Sequence, residues 1–462
     1  MASKTLDPLV SLSRPFAVAL ALATLVACGG GGGAGAAPSP PAPAPVPAPA
    51  PSATVADEVV VQLLTGQRIA DLASAYDLTV VDQFGKRPIW RLRTRPGTNI
   101  DALVTRLRAD ARVRFAEANA ESETPESRHL VPWAVGGDAG TYATQWAPEA
   151  IRLASAQNQG AGIRVAVLDT GIDLTHPALA SRLARTASGA LLGRDFVDDD
   201  ADPSEGGTPA QPGFGHGTHV SGLVSLVAPQ ARIMPVRVLD ERGRGNLWVL
   251  SEALGWAVDP DGDPNTDDGA HVINLSLATT RPTTLLQVAT AIANCDFSDD
   301  EDDIDYSDPG FDDDRVRCAN RFAAVVAAAA GNAGSATELQ YPAAEAVPGS
   351  ISVTASAQNR SLSPLANRGP WVEIAAPGDR IISTFPGGGY ATWSGTSMAT
   401  PLVAGTATLV LASRPTPRDL LPQDVTARLL ARSGRLCGST IPALDAGSAA
   451  NDTSPPPPAP CP

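Results

Sequence analysis

Ser394-Gly395-Thr396-Ser397-Met398-Ala399-Thr400-Pro401 sets a serine among small residues just where an apolar run, Leu402 to Leu411, begins. A hydroxyl at a helix start is open to close approach, and the unpaired N–H groups of the first turn favour negative charge developing beside it. Serine is also among the commonest helix caps, so the stretch gains chemical meaning only if a base and a group to orient it lie elsewhere in the chain. Upstream, Val165-Ala166-Val167-Leu168 reads as a buried strand, and Asp169-Thr170-Gly171-Ile172-Asp173 follows at its end, where parallel-sheet enzymes place reactive groups. Between the two lies Gly215-His216-Gly217-Thr218-His219-Val220-Ser221-Gly222, a histidine in a glycine-lined turn that opens the helical run Val220 to Val227. Together these predict an α/β core with a mostly parallel sheet, and a constellation in which Asp169 orients His216, and His216 activates Ser397.

The order aspartate, histidine, serine is one of the known chain orders of that constellation. From about Tyr142 to about Ala450, the segments Val-Leu-Asp-Thr-Gly-Ile-Asp, Gly-His-Gly-Thr-His-Val-Ser-Gly and Ser-Gly-Thr-Ser-Met-Ala-Thr-Pro closely resemble the three signature motifs of the subtilisin-like serine proteases. The resemblance implies a three-layer fold with helices on both faces of the sheet, and a serine endopeptidase acting on polypeptides. It carries the oxyanion-binding role to Asn332, in Gly331-Asn332-Ala333-Gly334 after the run Phe322 to Ala330, which reads as a buried strand, with the Ser397 backbone N–H as second donor. Without the other motifs, Asn332 reads as a turn residue. It also implies that substrate is added as a strand between Gly243-Arg244-Gly245-Asn246 and Ser276-Leu277-Ala278. Ala329, Ala330 and Gly331 then form the far wall of the first specificity pocket. Ala278 stands where the family usually has glycine, which predicts a preference for a moderate-sized apolar or aromatic residue before the cut. Asp173, His176 and His219 read as structural, and His271 as a half-exposed strand residue.

The rest of the chain reads as export and precursor. Residues 1–27 have a short basic start and an apolar run, as in a signal peptide. Leu25-Val26-Ala27-Cys28 resembles a bacterial lipoprotein box, which makes Cys28 a lipid anchor to the membrane; a plain signal peptide is the alternative. Residues 28–54 form a Gly/Pro/Ala-rich linker. Residues 55–123 have the order strand, helix, strand, strand, helix, strand of a small α+β, ferredoxin-like domain, with the elements over Val59 to Gln62, Ile69 to Tyr76, Leu78 to Phe84, Ile89 to Arg93, Ile100 to Ala109 and Val113 to Glu117. This domain resembles the subtilase propeptide, which assists folding and leaves its C-terminus in the active site as a product-like inhibitor. Residues 124–145 are the expected processing region, 146–450 the catalytic domain, and 451–462 a Pro-rich tail.

The 462 residues, 43 % of them hydrophobic, suffice for one large core and a small domain, and a net charge of −15 argues against a nucleic-acid partner. A monomer is expected. Setting Cys28 aside, four cysteines in an exported chain predict disulfides. Cys295 with Cys318 is favoured because it closes the acidic insertion 296–317, whose charge reads as too high to pack, and Cys437 with Cys461 would then pin the tail; other pairings stay open. The acidic stretches 195–202, 259–268 and 299–314 are open to calcium or to plain solvation. No organic cofactor is indicated. The rival readings are a silent binding module on the same scaffold and an esterase, the latter disfavoured because Gly395-Thr396-Ser397-Met398-Ala399 lacks the second glycine of the nucleophile elbow.

Overall fold

The structure is a computed structural model that describes residues 51–297, 306–457 and 460–461. The signal segment, Cys28 and most of the linker lie outside the described residues, as does part of the acidic insertion.

The small N-terminal domain runs Thr54–Leu63, Ile69–Tyr76, Thr79–Gln83, Ile89–Arg93, Ile100–Arg108 and Val113–Glu123, as strand, helix, two strands, helix and strand. Its four strands form an antiparallel sheet in the order Thr79–Gln83, Ile89–Arg93, Thr54–Leu63, Val113–Glu123. Alternation along the first strand decides what each face packs against. Val59 and Val61 join Leu72, Leu103, Val104 and Leu107 in the domain's own core. Val60, with Phe84, Ile89 and Phe115, packs into a second cluster that includes Trp248 and Leu250 of the following domain. The sheet is thus buried on both faces, by its own helices and by the larger domain.

That larger domain is built on a nine-stranded sheet. From one edge to the other it runs Gly434–Arg435, Pro442–Ala443, Ile374–Pro377, Ser350–Ser356, Val325–Ala329, Val272–Leu275, Arg164–Asp169, Arg232–Arg237 and Arg194–Asp195. Only the first pair is antiparallel. Val165 and Val167 face the helices His216–Val227 and Thr396–Ala412, whereas Ala166 and Leu168 face Leu247–Val258 and Thr284–Asn294. This is the three-layer arrangement that near-continuous apolar strands require. The Thr396–Ala412 helix is buried from Thr396 to Leu411, as expected for one without a polar face. Pro401 lies inside it and has no N–H to give the Ser397 carbonyl; Ser276 Oγ donates to that oxygen instead, at 3.0 Å.

Three expectations need adjustment. The buried run before Asn332 forms a strand only over Val325–Ala329, because the Phe322 N–H turns back to the Arg317 carbonyl. His271 is buried rather than half-exposed, with Nδ1 accepting from the Arg164 N–H at 3.3 Å. The described part of the acidic insertion does not stay loose: Asp312–Ala319 is a helix. Asp313 and Asp314 of that helix are paired to Lys86 and Arg87 of the N-terminal domain. Segment 124–145, the expected processing region, is structured. It holds the short helices Pro125–His129 and Ala139–Thr144 and a strand, Ala134–Val135, on Gly389–Trp393. Disulfides join Cys295 to Cys318 and Cys437 to Cys461, with Cα atoms 5.4 and 5.6 Å apart.

Candidate active site

Asp169 is the last residue of Arg164–Asp169, His216 the first of His216–Val227, and Ser397 the second of Thr396–Ala412. The parallel sheet brings the three to one side, at the carboxyl ends of its strands. His216 Nδ1 lies 2.7 Å from Asp169 Oδ1, which also accepts from the Thr170 N–H at 2.8 Å. The imidazole is fully buried, with the edge of Trp393 packed against it at 5.2 Å between ring centres. Asn332 follows the Val325–Ala329 strand. Its amide is oriented by the Thr396 N–H and hydroxyl, which donate to Oδ1 at 2.8 and 3.0 Å, so Nδ2 is left to donate on the other side. Ser276 lies against the serine, its carbonyl 3.2 Å from Ser397 Oγ.

A residue that sequence reading passed over completes the cluster. Glu126, 1 % exposed, places its carboxylate between all of these groups. Oε1 accepts from Asn332 Nδ2 at 2.7 Å and from the Ser397 N–H at 3.4 Å. Oε2 accepts from Ser397 Oγ at 2.5 Å and lies 3.3 Å from His216 Nε2. Gly395 makes room for it: a Cβ there would stand 1.8 Å from Oε1. The only available signal was Thr124-Pro125-Glu126, a cap, a proline and an acid, which marks a helix start. That pattern gives no hint that the acid enters another domain's site.

These contacts govern protonation. Burial alone would lower the pKa of His216, but Asp169 on one nitrogen and Glu126 on the other hold it up at about 10. Burial alone would raise that of Glu126, yet His216, Ser397 and Asn332 keep it below the usual carboxylate value. The two therefore face each other as imidazolium and carboxylate. His219, one turn on, is pushed down to about 3 by burial and by the charge on His216, and stays neutral. It packs on Trp393 and touches the Ala391 carbonyl. His176 Nε2 meets the Gly389 carbonyl, and Asp173 accepts from Thr175, Gly387 and Gly388.

The cleft beside Ser397 is filled by the N-terminal domain's last strand. Glu121, Ser122 and Glu123 pair antiparallel with Asn246, Gly245 and Arg244. On the other side, Glu123 and Ala278 exchange both backbone hydrogen bonds at 2.9 Å, and the Thr124 N–H reaches the Gly243 carbonyl at 2.9 Å. Gly243 admits this approach because a Cβ there would lie 2.6 Å from Ser127 Oγ. Leu277 is buried in the core behind the edge. Ala329 and Gly331 flank the turn to Asn332, and Ala330 packs with Val372, Ala375, Leu436 and Ile441. Two more residues of the same strand act as caps across the interface. Glu117 accepts from the Thr283 hydroxyl and the N–H groups of Thr284 and Leu285, and Asn119 accepts from the Trp248 N–H.

Residues 160–447, more than half of the chain, match the model of the Subtilase family. The chain belongs to that family. Its N-terminal part, residues 40–119, matches the Fervidolysin N-terminal prodomain, so this subtilase carries a prodomain of that kind. It is 34 % identical over 325 residues to a thermophilic serine proteinase of Bacillus sp. (strain AK1), covering 68 % of this chain and 66 % of that one. It is 36 % identical over 278 residues to thermitase of Thermoactinomyces vulgaris, covering 58 % and 81 %. With an alkaline protease of Alkalihalobacillus alcalophilus it shares 31 % over 372 residues, 78 % of each. The fold is the subtilisin-like one expected, with a propeptide-like domain at its N-terminus.

Of the acidic stretches in this subtilase, 195–202 is engaged by protein: Asp195 and Asp198 both bind Arg237. Asp259, Asp261 and Asp268 instead bring carboxylate oxygens within 4.8 Å of one another. Burial and the two neighbouring acids raise Asp268 to about 6, and one buried oxygen each of Asp259 and Asp268 has no hydrogen-bond partner. This donor set suits a hard cation. No helix among the described residues is long and apolar enough to cross a membrane.

Proposed function

We propose that the protein is an exported serine endopeptidase, made as a self-processed precursor, in which Asp169, His216 and Ser397 carry the reaction. Ser397 Oγ attacks the carbonyl carbon of a peptide bond while His216 Nε2 takes its proton. The oxyanion is met by Asn332 Nδ2 and the Ser397 N–H. Collapse breaks the C–N bond, and the amine leaves with the proton from His216. Water then hydrolyses the Ser397 ester, passing one proton through His216 back to Oγ. Asp169 keeps the Nδ1 proton in place throughout. The observation that most supports this reading is that two donors, one hydroxyl and one imidazole converge on a single buried anionic group, the Glu126 carboxylate. A binding module has no use for that convergence.

Substrate enters as a strand between Gly243 to Asn246 and Ser276 to Ala278, with Ala329, Ala330 and Gly331 bordering the first pocket. An apolar or aromatic residue is preferred before the cut, and a strong demand for Arg or Lys in cleavage profiling would refute that preference. Cys28 is the lipid anchor. Calcium, if the protein takes it, belongs with Asp259, Asp261 and Asp268; it then raises the melting midpoint, and a midpoint unmoved by chelator removes the assignment. The reading as a whole is tested with casein and the Ser397→Ala chain. The parent should shorten itself and degrade casein while the variant stays full-length and inert. A parent that remains inert after limited proteolysis is a silent scaffold.

A further inference from the structure

Residues 121–124 lie in the cleft as substrate would, hydrogen-bonded to enzyme edges on both sides. The chain then stops behaving as substrate. Pro125 has no N–H to continue the pairing, and its fixed φ starts a helix capped by Thr124, whose Oγ1 accepts from the Ser127 N–H at 3.2 Å. The carbonyls of Thr124, Glu126 and Ser127 accept from the N–H groups of Arg128, Val131 and Leu130, so they are committed within the turn. No backbone carbonyl of this turn takes the donors beside Ser397. The side chain of Glu126 takes them. Trp393, packed on His216, also donates to the Val131 carbonyl and fastens the far end of the turn.

We infer that Glu126 is a built-in, uncleavable inhibitor of the uncut chain. Its side-chain carboxylate holds the oxyanion donors, the Ser397 hydroxyl and His216 at once, so the precursor is silent before any bond is cut. This differs from inhibition by a newly made C-terminus, because the inhibiting group is internal and needs no prior cleavage. Self-processing then requires the turn to leave the site first. The inference rests on the protease reading above.

The test is fluorophosphonate labelling of the full-length chain at early times, with intact-mass analysis to separate uncut from processed species. Parent, Glu126→Ala and Glu126→Gln are compared beside parent activated by limited proteolysis. A carboxylate's hydrogen bonds are strong enough that uncut Glu126→Ala should label at least about tenfold faster than uncut parent. Glu126→Gln, keeping shape without charge, should fall between them. Thermal melts within a few degrees of the parent certify folding, and if the alanine variant misfolds the glutamine variant carries the comparison. Equal labelling of uncut parent and folded variants overturns the latch. If the activated parent fails to label, it is the protease reading that falls.

Discussion

The prodomain is held by two ion pairs of very different worth, and removing each in turn measures the difference. Arg87 grips Asp314 with both ends of its guanidinium, at 2.8 and 2.6 Å, and the two side chains are only 14 % and 6 % exposed. Arg87 also lies over the Phe84 ring at 4.4 Å. Truncating it leaves Asp314 buried with only the charge of the neighbouring Arg317 to offset its own, which costs about 3 kcal/mol. Lys86 pairs with Asp313 at 2.6 Å, but those side chains are 77 % and 41 % exposed, where solvent screens the attraction almost fully. In the Ser397→Ala full-length chain, amide exchange reports local opening of the docked strand and helix. Arg87→Ala should lower protection of Val113–Glu123 and Asp312–Ala319 by roughly two orders of magnitude. Lys86→Ala should leave it nearly unchanged. Replacing both partners, Arg87→Met with Asp314→Leu, should recover much of the loss. Equal effects of the two single variants would show that burial does not separate the two pairs.

Further expectations concern the site. Glu126 is held below its ordinary 4.5, so its contribution to the latch is present above that value and lost as pH falls further. His216 is raised from 6.5 to about 10, so its contribution is complete below 6.5 and lost as pH rises toward 10. Asp169 faces the other imidazole nitrogen, neutral His219 lies behind Trp393, and Glu205, bound to Thr170 and Thr218, adds a like charge near Asp169. The lag before self-processing should therefore shorten steadily from pH 7 to 9.5, and a flat profile would contradict this. In the oxyanion role proposed for Asn332, Asn332→Leu should lower kcat in the processed enzyme by about 10²–10³ with little change in KM; a change confined to KM would place Asn332 in binding instead.

Much of this molecule could be read from local pattern. The helix over Ile69–Tyr76 and the strand Ile89–Arg93 fall where their periodicity sets them, and the three motifs announce strand ends and helix starts. What escaped depends on partners in another domain. The strand expected over Val113 to Glu117 continues to Glu123 because Asn119 and Glu121 to Glu123 find caps and edges across the interface, although their polarity reads as loop. The acidic run at Asp312 reads as too charged to pack, yet Lys86 and Arg87 come from over two hundred residues away to neutralise it. Glu126 looks like an ordinary first-turn acid, and only the tertiary fold makes it the occupant of the site.

If Ser397 is the nucleophile, peptide mapping of the processed protein after fluorophosphonate treatment should find one adduct, on Ser397, with caseinolytic activity lost in proportion to labelling. An adduct on another serine, or casein cleavage that persists in a fully labelled sample, would contradict it.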